Sequence, residues 1–180
     1  MSKNKIASSW SGHDCSFAIF EDGMPTLHCE LERYIREKEP QGDGIQFLFD
    51  QYQDYQDIQH FATIYPLIKS TQYKESWEKM MSIIKKNNGH THFIGHHKAH
   101  AANAYFSSNF DNSIIITMDG GGVEDEHGNV TACTIWQGNG NKIKHIETFP
   151  INQINIGGLW TRATRYIFKL NSGWPGGGQQ

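Results

Sequence analysis

The chain has 180 residues, enough for one domain with a substantial core, and a formal net charge of −3 from 16 basic and 19 acidic side chains. That balance argues against a general nucleic-acid binder, which carries a basic face, and no window approaches the roughly 18 apolar residues of a membrane span. Three widely spaced cysteines (Cys15, Cys29 and Cys133) form no CxxC pair, which fits a reducing cytoplasm and gives neither a disulfide framework nor a thiolate zinc cage. The amino terminus has a short basic start without an apolar run and does not read as a secretory signal. Histidine is the anomaly: there are ten, and five of them lie between His90 and His100.

In chain order, "KIASSW" (5–10) reads as an opening strand, followed by the polar turn "SGHD". "CSFAIF" (15–20) and "PTLHCEL" (25–31) read as two strands joined by "EDGM", whose Asp-Gly is a strong hairpin signal. "ERYIREKEP" runs into charge and stops at a proline. Residues 41–70 are rich in Gln, Asp and Tyr, and their pattern predicts short helices over 44–50 and 54–69. "TQYKESWEKMMSIIKKNNG" predicts a helix with Trp77, Met80, Met81 and Ile84 on its core-facing stripe, lysines in its last turn and Asn-Gly at its end. Then follow "THFIG" (strand), "HHKAHAANAYF" (helix), "NSIIITMD" (strand), a glycine-rich turn, and "NVTACTIWQ" and "NKIKHIETFP" (strands). "IGGLWTRATRYIFKL" predicts a helix with Leu159, Ala163, Tyr166 and Leu170 on one face. Alternating strands and helices imply an α/β fold with hairpins mixed in.

Four stretches can carry chemistry. In "HHKAH", His96 and His100 stand four apart, so on a helix both imidazoles project from one face and can converge on one ion. His97 points elsewhere. A pair of surface imidazoles at a helix start fits the same spacing, and Lys98 and Ala99 rule out the HExxH protease pattern. In "IIITMDGGG", a strand delivers Asp119 at its carboxyl end, where α/β sheets place ligands, and Gly120, Gly121 and Gly122 allow close backbone approach to an anion. A plain hairpin turn has the same composition. His13 in "SGHDCSF" has the chemistry of a general acid or base at neutral pH, and Arg33, Arg36 and Lys38 in "ELERYIREK" can hold a phosphate or carboxylate or can form a solvated charged face.

The order of these stretches resembles the N-terminal part of the O-carbamoyltransferases, the family of nodulation-factor, cephamycin and tobramycin carbamoyltransferases. That family opens with a strand, a His-Asp-Ser-Ser-Ala-like loop, a hairpin and a Glu-Glu-Arg-Phe-Thr-Arg-like run, matched here by "SGHDCSFAIFEDG" and "ELERYIREK". Its His-His-x-Ala-His-Ala stretch is matched by "HHKAHAANAYF", its Thr-x-Asp-Gly-x-Gly-Glu stretch by "TMDGGGVE", and its Asn-x-Gly-x-Leu-Tyr-x-x-x-Thr helix by "NIGGLWTRATRYIF". The likeness spans the chain apart from 41–75. It departs at Lys38-Glu39, where the family has Lys-His, and at Asp14-Cys15-Ser16, where it has Asp-Ser-Ser.

The resemblance implies the first half of an actin- and sugar-kinase-like ATPase fold, a mixed sheet with β-hairpins flanked by helices. Residues 1–180 would form a single domain, the N-terminal lobe of the catalytic domain; the second lobe and a carbamoyl-phosphate-processing domain would lie in the same or a separate chain. It implies His96, His100 and Asp119 as ligands of a divalent metal, usually iron, a donor set suited to a borderline ion with open positions. ATP and carbamoyl phosphate would form a carbamoyl-adenylate, from which the carbamoyl group passes to a small-molecule hydroxyl acceptor. Gly120–Gly122 would line the phosphate path, Arg33 and Lys38 would hold an anionic group, and His13 would take the hydroxyl proton. The isolated chain is expected not to turn over. Two other readings accommodate the same residues: a tRNA threonylcarbamoyl-transferring protein, which shares the HxxxH pair and the fold, and a non-catalytic metal- or nucleotide-binding regulatory module.

Overall fold

The structure, a computed structural model, describes residues 4–12, 14–37, 45–51, 58–66 and 74–170. The chain divides into two compact units, Met1–Ile94 and Gly95–Gln180. Among the described residues no helix is long and apolar enough to cross a membrane.

Unit 1 is built on a five-stranded mixed sheet in the order β3-β2-β1-β4-β5. Strands β1 (Lys5–Trp10), β2 (Ser16–Glu21) and β3 (Met24–Glu30) run antiparallel. At the β2–β3 turn Asp22 and Gly23 both take positive φ, 50° and 83°, the backbone that a two-residue hairpin requires and that Asp-Gly adopts at low cost. Strands β4 (His60–Ile64) and β5 (His90–Ile94) join in parallel. Helix α1 (Leu31–Ile35) follows β3, and α2 (Ile45–Gln51) and α3 (Lys74–Lys86) complete the unit. Ala7, Phe17, Leu48, Phe49, Phe61, Met80 and Ile84 are wholly or almost wholly buried in one core, with Trp77 and Met81 packed against it, so the stripe expected of α3 does face inward.

One expectation fails here. The stretch 54–69 reads from sequence as a helix, yet 60–64 is strand β4; 52–57 and 67–73 lie outside the described residues. The reason is visible in "HFATI": Phe61 and Thr63 are buried while His60, Ala62 and Ile64 face the other way, a period of two in a segment rich in aromatic and β-branched side chains.

Unit 2 opens with α4 (His96–Phe106), then the antiparallel sheet β6 (Asn112–Val123), β7 (Val130–Asn139) and β8 (Lys142–Pro150), and closes with α5 (Ile156–Arg162) and a π-helical turn at Ala163–Ile167. Ala101 and Tyr105 of α4 pack on Ile115 and Trp136 of the sheet. The glycine-rich stretch after Asp119, expected as the hairpin turn, belongs to β6. Glu124–Asn129 forms the turn instead, where Asp125 Oδ1 accepts the backbone N–H groups of His127 (2.9 Å) and Asn129 (3.2 Å). The helix expected over 156–170 stays α-helical only to Arg162.

Candidate metal centre

The site is set by two local events in unit 2. The first is the start of α4. Gly95 is its N-cap in extended conformation and offers no side chain, so the first-turn N–H groups need another acceptor. Glu124, at the far end of β6, supplies it: Oε1 accepts the His97 N–H at 2.7 Å. This carboxylate also lies at the positive end of the helix dipole. His96 and His100 then follow on one helical face, His96 half-buried and His100 exposed.

The second event is a bulge in β6. Met118 pairs with Cys133, but the next pairing joins Gly122 to Thr131, so Asp119, Gly120 and Gly121 bow out of the ladder. Gly121 has φ +143°, which a side chain rarely adopts. A Cβ on Gly122 would collide with the His96 imidazole, so the glycine there gives room for that ring. The bulge turns Asp119 towards α4.

The result is three ligand-capable atoms in one place. Asp119 Oδ2 lies 2.7 Å from His96 Nε2 and 3.5 Å from His100 Nε2, and the two Nε2 atoms are 3.0 Å apart. Among the described residues this is the one trio of His, Cys, Asp or Glu with all donor atoms within 4.8 Å of one another. Donors bound at about 2.0–2.2 Å from one ion stand roughly 3 Å apart, so the triangle has the dimensions of three ligands on one face of a cation. Hydrogen bonds from His100 and His96 hold the Asp119 carboxyl far below the usual carboxylate range, against burial, which pushes it up. By distance His96 is the stronger partner, since 3.5 Å suits an ion pair better than a hydrogen bond. Asp119 in turn raises the His100 pKa. The carboxylate is therefore ionised and available as a ligand.

His97 is wholly buried and takes no part in that triangle. Its Nε2–H donates to the Thr131 carbonyl at 3.0 Å, and its Nδ1, at 2.9 Å from Thr117 Oγ1, accepts from that hydroxyl. Burial lowers its pKa, consistent with this neutral tautomer. It fastens the first turn of α4 to β6 and β7. Asn155 fixes the bulge from the other side: Nδ2 donates to the Gly120 carbonyl at 3.3 Å, while Oδ1 accepts the Gly158 N–H at 2.6 Å as the N-cap of α5. The Gly120 N–H donates to Asp119 Oδ1.

Arg33 belongs to unit 1 and is exposed; its Nε donates to Glu30 Oε2 at 3.1 Å and Nη2 lies 3.6 Å from Glu32 Oε1. With His28, Cys29, Glu30 and Tyr34 it lines an open concavity of about 390 Å³. His13 and Lys38 lie outside the described residues. Glu124 and Asn155 lie in the quoted stretches "TMDGGGVE" and "NIGGLWTRATRYIF", but sequence reasoning assigned neither of them a role. Asn155 carried a legible signal, a cap residue ahead of an apolar run, whereas Glu124 acts on a helix 27 residues upstream that no local pattern connects to it.

No family model matches the chain. It is 38% identical over 84 residues to the uncharacterized protein sll1178 of Synechocystis sp., a match covering 45% of this chain and 12% of that protein. It is 32% identical over 75 residues to nodulation protein NolNO of Sinorhizobium fredii, covering 42% of this chain and 10% of that one. In fold it is similar to the crystal structure of T. kodakarensis HypF, with a TM-score of 0.55 over 82% of this chain and 19% of that chain, at 15% identity. The chain thus spans a small part of the length of each protein it matches. It is a mixed α/β protein with a partial sequence likeness to NolNO and the fold of one portion of HypF.

Proposed function

We propose that this chain is the N-terminal portion of a metal- and ATP-dependent O-carbamoyltransferase that works together with a second half in the same or a separate chain. The observation that carries this reading is the convergence of His96, His100 and Asp119 from a helix and a bulged strand, in the motif order of that family. The partial likeness to a nodulation protein and the fold shared with part of HypF support it. On this reading both units belong to the first lobe of an actin- and sugar-kinase-like ATPase, and the protein acts in the cytoplasm.

The donor set suits a borderline divalent ion, and iron is our assignment. When bound, that ion supplies positive charge and Lewis acidity to the phosphates of ATP and to the carbamoyl group on its way, through a carbamoyl-adenylate, to a substrate hydroxyl. The chain's own residues do the positioning. Asp119 holds the two imidazoles with their Nε2 atoms turned to one point, and Gly122 keeps the His96 ring against the strand. Gly120–Gly122 line the phosphate path, Arg33 and Lys38 steer an anionic group, and His13 takes the proton of the acceptor hydroxyl.

Metal content after iron loading tests the site: His96→Ala and Asp119→Ala are each expected to lose the ion that the unaltered chain retains. Equal content in all three overturns the ligand assignment. Carbamoylated product from ATP, carbamoyl phosphate, iron and these 180 residues alone would overturn the half-site reading.

A further inference from the structure

Two of the five clustered histidines, His90 and His92, take no part in the centre described above. They alternate along β5, so both imidazoles project from one face of the unit 1 sheet. Pairing with β4 sets His60 directly opposite His90 and Ala62 opposite His92, which places His60 on the same face. Phe61 and Thr91 are paired on the other face, where Phe61 contacts Phe49 of α2 (ring centroids 6.3 Å apart) and Phe93 contacts Trp77 of α3 (6.5 Å). The three histidines therefore stand on the side away from the core. His90 and His92 are exposed and His60 is half-buried.

Two of them, His60 and His92, have the geometry of a chelating pair. His60 Nδ1 and His92 Nε2 are 3.0 Å apart, and the His90 ring stacks on His60 with centroids 5.7 Å apart. Two nitrogens at that separation either share one proton or direct both lone pairs at one cation at about 2.0–2.1 Å from each. Their neighbours along the same face, Ile6 and Ser8 of β1 and Ala62 of β4, carry no charge. A site of imidazoles alone, without a carboxylate, favours late first-row ions over iron or magnesium. A parallel sheet also holds the pair rigidly, because both backbones are fixed by the ladder.

We propose that His60 and His92, with His90 beside them, form a second metal site, on the exposed face of the unit 1 sheet, which binds a late divalent transition cation of the zinc, nickel or copper(II) class. It is independent of the His96–His100–Asp119 centre and of the activity assigned to that centre.

Zinc binding by the 180-residue chain, measured in competition with a chromophoric chelator, tests this. In a His96→Ala/Asp119→Ala background, which removes the other centre, one equivalent of Zn²⁺ is expected to remain. Adding His60→Gln and His92→Gln should weaken that binding by at least about tenfold, the loss usual even for a residue that only supports a ligand. Adding His90→Gln alone should weaken it less. If the background variant binds no zinc, or the His60→Gln/His92→Gln form binds as tightly as the background, the site does not exist. Glutamine retains side-chain bulk at positions on the exposed sheet face, and circular dichroism verifies the fold; should the double form fail to fold, His92→Gln alone decides between the same two outcomes.

Discussion

In unit 1, Phe17, Phe49, Phe61 and Met80 are wholly buried while His60, His90 and His92 stand on the outer face of the sheet. In unit 2 the arrangement is reversed: His97 is wholly buried, Thr117 and Thr134 with it, while Ile114, Ile116 and Met118 on the far face of β6 are 61%, 55% and 53% exposed. The apolar cluster of unit 2 is correspondingly small, Ala101, Tyr105, Ile115 and Trp136 with Ile143 at its edge. The difference teaches where each unit's order comes from. Unit 1 is held by hydrophobic burial around three large rings. Unit 2 is held to a larger degree by directed polar contacts around His97 and Glu124, which fix the ligand triangle but lose more when one partner is removed.

The sharpest way to break this contrast is to open the core of unit 1. Phe61→Ala removes a ring packed against Phe49 and is expected to cost about 3–5 kcal/mol in denaturant unfolding of unit 1. If the loss is under about 1 kcal/mol, burial is not what holds that unit. Next in size is a substitution aimed at the polar order of unit 2. Gly122→Ala sets a methyl group against the His96 ring and should lower iron affinity by about tenfold or more, with far-ultraviolet circular dichroism retained. Unchanged affinity would show that the bulge does not position His96.

A pH effect, spread over the alkaline range, separates the units again. Cys15 of unit 1 is wholly buried, and burial, with a smaller contribution from Cys29, pushes its thiol from 9.0 up to about 12. A folded pKa raised above the unfolded one gives stability that is complete below pH 9 and is lost as pH rises towards 12, because the unfolded chain releases the proton first. The slope is at most about 1.4 kcal/mol per pH unit. Cys15→Ala should flatten this alkaline decline in unit 1; an unaltered slope would mean that the thiol does not set it.

Much of the fold is legible in the sequence where the signal is local. The stripe of Trp77, Met80, Met81 and Ile84, the Asp22-Gly23 hairpin and the boundaries of α4 follow from spacing and turn chemistry. What is not legible is non-local. Residues 60–64 become a strand because β1 and β5 flank them on either side, and Asp119–Gly121 become a bulge because β6 resumes pairing with β7 at Gly122. In the site, the HxxxH pair is visible as a pattern and Asp119 as a candidate acid, but Asp119 lies in a bulge inside β6 and not at the strand's carboxyl end, and the distances joining it to the pair depend on that bulge. Glu124 and the tie of His97 to Thr131 are contacts between distant segments, for which composition holds no signal.

The bulge also limits how the chain can vary in length. Between Met118 and Gly122 β6 takes four steps while β7, from Cys133 to Thr131, takes two. The two surplus residues change which side chains β6 presents to α4: Met118 faces away from the helix, whereas a Cβ on Gly122 would point into the His96 ring, and Gly122 and Val123 are both buried. The length of the bulge thus decides which residue stands against that imidazole, and a side chain in the place of Gly122 would meet the ring. The three glycines matter by their number as well as by their lack of side chains.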